Sequence, residues 1–299
     1  MAYDAIETPF GKTGKILGGC ATYIGLAASH FKSECGLISI IGSDFEEEHL
    51  ALLKAKNLDL TGVEQLEGEK TFFWSGKYQN DLNTRTTLDT QLNVLTKFNP
   101  KVPANFKDAS VVLLGNLDPN LQLEVLDQMD KKPDLVIMDT MNFWIESYRE
   151  KLDELIGRVD VISINDEEAR QLTQKHSLVE AAKDLQAMGP KYVVIKKGEH
   201  GALLFNGNEI FCAPGLPLEE VFDPTGAGDS FIGGFAAYLL ERKKITFEDM
   251  KTAVIVGSAL ASFTVQEFGT SALEKMTFAQ LAQRIQAFKS LTKFEIELI

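Results

Sequence analysis

Val221-Phe222-Asp223-Pro224-Thr225-Gly226-Ala227-Gly228-Asp229-Ser230-Phe231 is the stretch that organises this 299-residue chain. Val221 and Phe222 read as the end of a strand, and Pro224 then fixes one φ angle and interrupts any backbone ladder. Gly226 and Gly228 allow a tight bend bare of bulky side chains, and the run from Ser230 to Leu240 reads as a helix. The first N–H groups of such a helix have no partner within it, and with the helix dipole they suit an anion such as a phosphate. A carboxylate in that cradle should repel the ligand, and two readings account for Asp229. As a base it would take the proton from a hydroxyl attacking phosphorus. As an ordinary first-turn acid it would simply be held by the dipole.

Outward from this turn, strands and helices alternate. Val111–Leu114, Leu135–Met138, Val161–Ile164 and Tyr192–Ile195 are short apolar runs separated by helical stretches. The pattern predicts a parallel sheet with helices on both faces, whose ligands bind beyond the carboxyl ends of the strands. Asn116, Asp139, Asn142 and Asn165 follow those ends, and Asn116 and Asn142 are candidate substrate contacts. Nearer the start, Gly36–Ile41 reads as a strand, Phe45–Ala55 as a helix and Asn57-Leu58-Asp59 as its exit. Ile6–Leu17 has a hairpin composition. Phe72, Phe73, Trp74 and Tyr78 sit among polar residues before a turn at Gln79-Asn80-Asp81, predicting a second hairpin, with Arg85 facing solvent.

Taken whole, the string from Asp223 to Phe231 resembles the C-terminal signature of the ribokinase-like (PfkB) carbohydrate and nucleoside kinases. The likeness implies an α/β ribokinase-like three-layer sandwich with a mostly parallel central sheet and a small β lid. It implies one domain over residues 1–299, with lid segments near 5–17 and 70–90. In that family the last Asp of the string is the base, a role that falls on Asp229, while the amides of Gly226, Ala227, Gly228 and Asp229 hold the transferring phosphoryl group. The implied substrates are ATP and a sugar, polyol or nucleoside hydroxyl, with Mg²⁺ as cofactor. A non-catalytic ligand-binding member of the same fold is the alternative. Family lids sometimes pair between subunits, so the likeness allows a homodimer and leaves the oligomeric state open.

Further stretches carry the same likeness. Asn165-Asp166-Glu167-Glu168 resembles the family's Asn-x-x-Glu, in which Asn165 and Glu168 would order waters around Mg²⁺. As a bare pattern it is equally a helix N-cap with acidic first-turn residues. Lys197, Gly198 and Gly201 resemble the strand-end loop bordering ATP. Asp4 would be the sugar-contacting carboxylate just after the first strand, which is expected to be stunted. Gly18 and Gly19 match the glycine pair that approaches the substrate, but Cys20 and Tyr23 stand where the family often has Lys and Asn. Tyr23 is therefore an expected substrate contact, and the acceptor's identity stays open. Asp44, in a Gly-x-Asp likeness, would be an N-cap or a ligand contact. Asp223 and Thr225, with the turn at Phe268-Gly269-Thr270, would serve a monovalent cation such as K⁺.

Composition narrows the partners. Hydrophobic residues make up 44% of the chain, ample for a core, and the net charge of -13 argues against nucleic acid or an anionic membrane. Cys20, Cys35 and Cys212 fall in no metal-binding spacing. The sequence has neither a long apolar span nor a signal-like start, so a cytoplasmic location is expected. A nicotinamide-dependent oxidoreductase is disfavoured, since no G-x-G-x-x-G follows an early strand.

Overall fold

Apolar runs too short for helices form the centre of a sheet in a computed structural model that describes residues 1–32, 34–293 and 295. The chain opens with β1 (Ala2–Thr8), β2 (Gly11–Lys12), β3 (Ile16–Gly18) and α1 (Cys20–Ala28). It continues through β4 (Cys35–Gly42), α2 (Glu47–Ala55), β5 (Leu58–Leu66), β6 (Phe73–Tyr78) and β7 (Arg85–Gln91). The central part holds β8 (Val111–Leu114), α3 (Pro119–Asp127), β9 (Leu135–Met138), α4 (Asn142–Ser147), α5 (Arg149–Ile156) and β10 (Val161–Asn165). Then come α6 (Asp166–Thr173), α7 (Leu178–Met188), β11 (Tyr192–Lys196), β12 (Ala202–Asn206) and β13 (Glu209–Ala213). The chain closes with α8 (Ala227–Leu240), α9 (Phe247–Thr264), α10 (Ser271–Lys275) and α11 (Phe278–Leu291).

The six-stranded sheet has the order β13-β12-β11-β10-β9-β8. Strands β8 to β11 run parallel, and β12 and β13 are added antiparallel. Alternation along its strands builds two cores. Val136, Met138, Ile162, Ile164, Val193 and Ile195 face α3, α5, α6 and α7. Leu135, Ile137, Val161, Val194 and Leu204 face α8 and α9. Each side chain so buried contributes about 1.5–3 kcal/mol relative to exposure. A further core joins α1, β4, β5, α9 and α11.

The smaller sheet has the order β2-β1-β6-β7, with β3 also paired to β1. All residues of its outer strand β7 are exposed. No helix among the described residues is long and apolar enough to cross a membrane.

Several local expectations change. The first strand is not stunted: it runs from Ala2 to Thr8, and Asp4 lies inside it rather than after it. Register with both β3 and β6 carries the strand through that residue. Asn57, at φ 60, ends α2, and Leu58 starts a strand instead of a loop. Val221 and Phe222 lie in no strand, because the amides of Phe222 and Asp223 both donate to the carbonyl of Val265 at the end of α9, at 2.8 and 3.3 Å. Helix α8 begins at Ala227, a turn earlier than the apolar pattern suggests.

Candidate active site

The glycine turn is shaped by its backbone. Gly226 sits at φ 75 as the N-cap of α8 and offers no side-chain cap. A Cβ there would lie 2.4 Å from the Tyr23 ring. A side chain at this position is therefore excluded by both backbone conformation and space. The amide of Ala227 donates to the carbonyl of Pro224 at 3.2 Å. Among the described residues, the amides of Gly226, Gly228 and Asp229 meet no acceptor. Three of the four expected donors thus have no partner among the described residues; Ala227 is already engaged within the turn. Gly226→Ala is expected to cost about 1–3 kcal/mol from forced left-handed backbone alone, read as a lowered midpoint in thermal unfolding.

Asp229 projects from the first turn of α8 and is partly buried. Burial, followed by the charge of Asp139, raises its pKa to about 7, while Lys196 and Arg85 pull the other way. Lys196 ends β11 and pairs with Asp139, beyond β9, at 2.8 Å, with side chains only 16% and 9% exposed. Its ammonium lies 3.2 Å from where a Cβ on Gly228 would stand, placing it beside the glycine turn. Burial alone would lower the Lys196 pKa, but Asp139, Glu168 and Asp229 together hold it above the ordinary value. No local motif links Asp139 with Lys196, which lie 57 residues apart in sequence. The signal of the pair is an ionisable residue closing each of two apolar strands that flank β10.

Asn165 and Glu168 form a reciprocal capping box: Asn165 Oδ1 accepts from the Glu168 amide, and Glu168 Oε2 accepts from the Asn165 amide, both at 2.8 Å. The N-cap reading of this motif is therefore realised in full. The buried Glu168 has a pKa raised to about 7, first by desolvation and then by Asp139. Its Oε1 accepts no hydrogen bond among the described residues. A surplus of carboxylate oxygen beside a phosphate cradle fits a hydrated Mg²⁺, a hard cation that retains waters.

Asp4 is buried, and its Oδ2 accepts from the Gly19 amide at 3.4 Å. A Cβ on Gly18 would lie 1.9 Å from that oxygen, so the glycine pair gives the carboxylate its room. Burial raises the Asp4 pKa to about 7. Tyr23 is 1% exposed and packs under Gly226, and its hydroxyl has no hydrogen-bond partner among the described residues. Asn116 lies beyond β8, where its Oδ1 accepts from the Trp144 indole at 2.8 Å. Asn142 is drawn away, donating to Gln171 Oε1 at 2.8 Å.

Asp223 is fully buried; one oxygen accepts from the Thr225 amide at 2.8 Å and the other from the Gly269 amide at 2.9 Å. It staples the glycine turn to the 269 loop. Lys197 donates its amide to the Gly201 carbonyl at 2.7 Å. Gly198 and Gly201, at φ 54 and 83, close the strand-end loop. Asp44 is not an N-cap: Glu46 caps α2, and Asp44 accepts from the Thr71 amide at 2.7 Å and Lys15 at 2.9 Å. Arg85 is exposed, as expected, yet its charge also acts on Glu168 and Asp229.

Known proteins resemble this chain in sequence and in fold. The description of pfkB family carbohydrate kinases matches residues 7–276. A cytidine kinase of Thermococcus kodakarensis is 32% identical over 243 residues, spanning 79% of this chain and 85% of the relative. Among solved structures, the Burkholderia thailandensis nucleoside kinase in complex with inosine has a TM-score of 0.79 at 22% identity, covering 96% of each chain. The Arabidopsis thaliana ribokinase complexed with ribose and ATP has a TM-score of 0.76 at 19% identity, covering 95% of this chain and 96% of that one.

Proposed function

This chain belongs to the PfkB family of carbohydrate kinases, and from that premise we propose that it transfers the γ-phosphoryl group of ATP to a hydroxyl of a small nucleoside, sugar or polyol. Its ribokinase-like fold is the one expected from the glycine string. One observation carries the proposal: the unpartnered amides of Gly226, Gly228 and Asp229 open the same helix turn that carries the Asp229 carboxylate. Donors for phosphate oxygens and a base for the acceptor hydroxyl are thereby held on one rigid element.

The acceptor oxygen attacks the γ-phosphorus, the bond to the β,γ-bridging oxygen breaks, and that electron pair leaves on ADP. The hydroxyl proton passes to Asp229. Cradle amides and the Lys196 ammonium offset charge on the group in transit. Asn165 and Glu168 would hold Mg²⁺ through its waters, and the ion would supply further neutralisation of the phosphates. Asp4, with the Gly18-Gly19 backbone, would grip the acceptor. Lys197, Gly198 and Gly201 would border the nucleotide. Asp223, whose oxygens accept from the Thr225 and Gly269 amides, would with Thr225 serve a K⁺ beside the glycine turn.

A nucleoside is the first candidate, supported by the cytidine kinase relative and by Tyr23 standing where sugar kinases often present an amide. ADP release by the purified chain with Mg·ATP, screened over cytidine, inosine, ribose, fructose and myo-inositol, tests this reading. Highest turnover on a nucleoside is expected. Bound ATP with no ADP release on any acceptor would instead favour a non-catalytic binder.

A further inference from the structure

The acceptor end of the site continues past the glycine pair along an open face. Asp4 accepts from the Gly19 amide at 3.4 Å. Cys20 follows Gly19, and its Sγ lies 3.1 Å from where a Cβ on Gly115 would stand. Asn116 comes next, beyond β8, and its Oδ1 accepts from the Trp144 indole of α4 at 2.8 Å. Gly19, Cys20, Gly115, Asn116 and Trp144 are all partly exposed. The face therefore runs from the carboxylate that would grip the acceptor to an indole beyond the carboxyl ends of β8 and β9, where ligands of such sheets bind.

Two features of this far end suit a planar ring. An indole N–H only donates, so it fixes which way round the Asn116 amide sits, with its oxygen toward Trp144. The Asn116 Nδ2 group meets no acceptor among the described residues and can donate to a ring carbonyl or ring nitrogen. Beside it, Phe143 is 51% exposed and packs edge-on against Trp144, with ring centroids 4.9 Å apart at 75°. Trp144 also meets Tyr148, at 5.2 Å and 69°. The indole is thus held by one hydrogen bond and two rings, while Phe143 keeps a large apolar surface in water at the same rim. Aromatic surface next to a single amide donor matches a heterocycle, whose faces stack and whose edge hydrogen-bonds. A bare pentose gripped at Asp4 has no second ring to reach this end.

We propose that Asn116, Phe143 and Trp144 form a base-binding end of the acceptor site. The Asn116 amide donates to an acceptor atom on the edge of a nucleoside's base, and the aromatic pair covers its face. The inference rests on the kinase reading of the same site and narrows its acceptor to nucleosides.

The chain has two tryptophans, so Trp74→Phe leaves Trp144 as the only indole, and its fluorescence reads this end directly. Cytidine and inosine are expected to quench it saturably, while ribose at the same concentrations leaves it unchanged. In the converse variant, Trp144→Phe with Trp74 retained, the quench should disappear. Phe143→Ala should raise the nucleoside midpoint roughly tenfold, as loss of one stacking ring does. Asn116→Asp keeps an oxygen for the indole and removes the donor, and it too should raise the midpoint roughly tenfold. Mg·ADP affinity, measured by calorimetry, should match the wild type in both, which shows that they are folded. Nucleoside binding seen by calorimetry with no change at Trp144, or with equal affinity in Phe143→Ala and Asn116→Asp, would overturn the proposal and leave the kinase reading standing. So would ADP release with ribose but with neither nucleoside. A wild type that binds neither Mg·ADP nor any of these acceptors would overturn both.

Discussion

Asp229→Asn is expected to reduce kcat by roughly 10²- to 10⁴-fold, the usual contribution of a positioned base, while Mg·ATP binding is retained. The substitution keeps the side-chain shape at the head of α8 and removes only the capacity to accept a proton. The pH dependence supplies a second readout. Asp229 must be ionised to act, and its pKa is raised to about 7, so wild-type kcat/KM should fall as pH drops through that value. The corresponding limb should vanish from the residual activity of the variant.

Stability should move in the opposite sense. The folded pKa of Asp229 lies above its ordinary value of 3.8, so between about 4 and 7 the folded chain holds a proton that the unfolded chain releases. The folded state therefore loses stability as pH rises through this window. An Asn cannot ionise, and the variant should melt above the wild type near about pH 8, with the difference shrinking toward about pH 5. A variant that is both slow and less stable at every pH would point to a damaged helix start rather than a missing base.

Lys196→Met carries the other large effect. Its ammonium neutralises Asp139 in a pair almost closed to solvent and also acts on Glu168 and Asp229. Breaking a buried pair on one side typically costs about 3–5 kcal/mol, because the remaining charge has no compensation. The urea midpoint should fall accordingly. Turnover should also fall by roughly 10²-fold or more, since a cation beside the cradle is lost. The double variant Lys196→Met with Asp139→Asn separates the two losses: it should recover most of the stability and none of the activity. Recovery of both would reduce the pair to a structural role.

The strand-and-helix alternation from β8 to β11 was legible because apolar runs buried on both faces leave a continuous signal in the sequence. Asn165 with Glu168 was legible as a pattern but ambiguous in meaning, since a capping box and an outer-sphere metal site draw on the same residue types. The strand at Leu58 was missed because its residues pair with β4 across α2, a partner that local composition does not name. Likewise, Val221 and Phe222 carry a strand-like composition whose hydrogen bonds go to the end of α9.

The order of residues alone determined the glycine turn, the acid at its far side and the layered α/β architecture. Those features depend on backbone freedom, helix-end donors and hydrophobic periodicity, all of which act between near neighbours. Only the folded chain decided that Asp139 and Lys196 meet across β10, that Asp4 fits because Gly18 has no side chain, and that the Trp144 indole meets Asn116. Charge, burial and exclusion between distant segments depend on three-dimensional separation, and that separation exists only once sheet order and register are set.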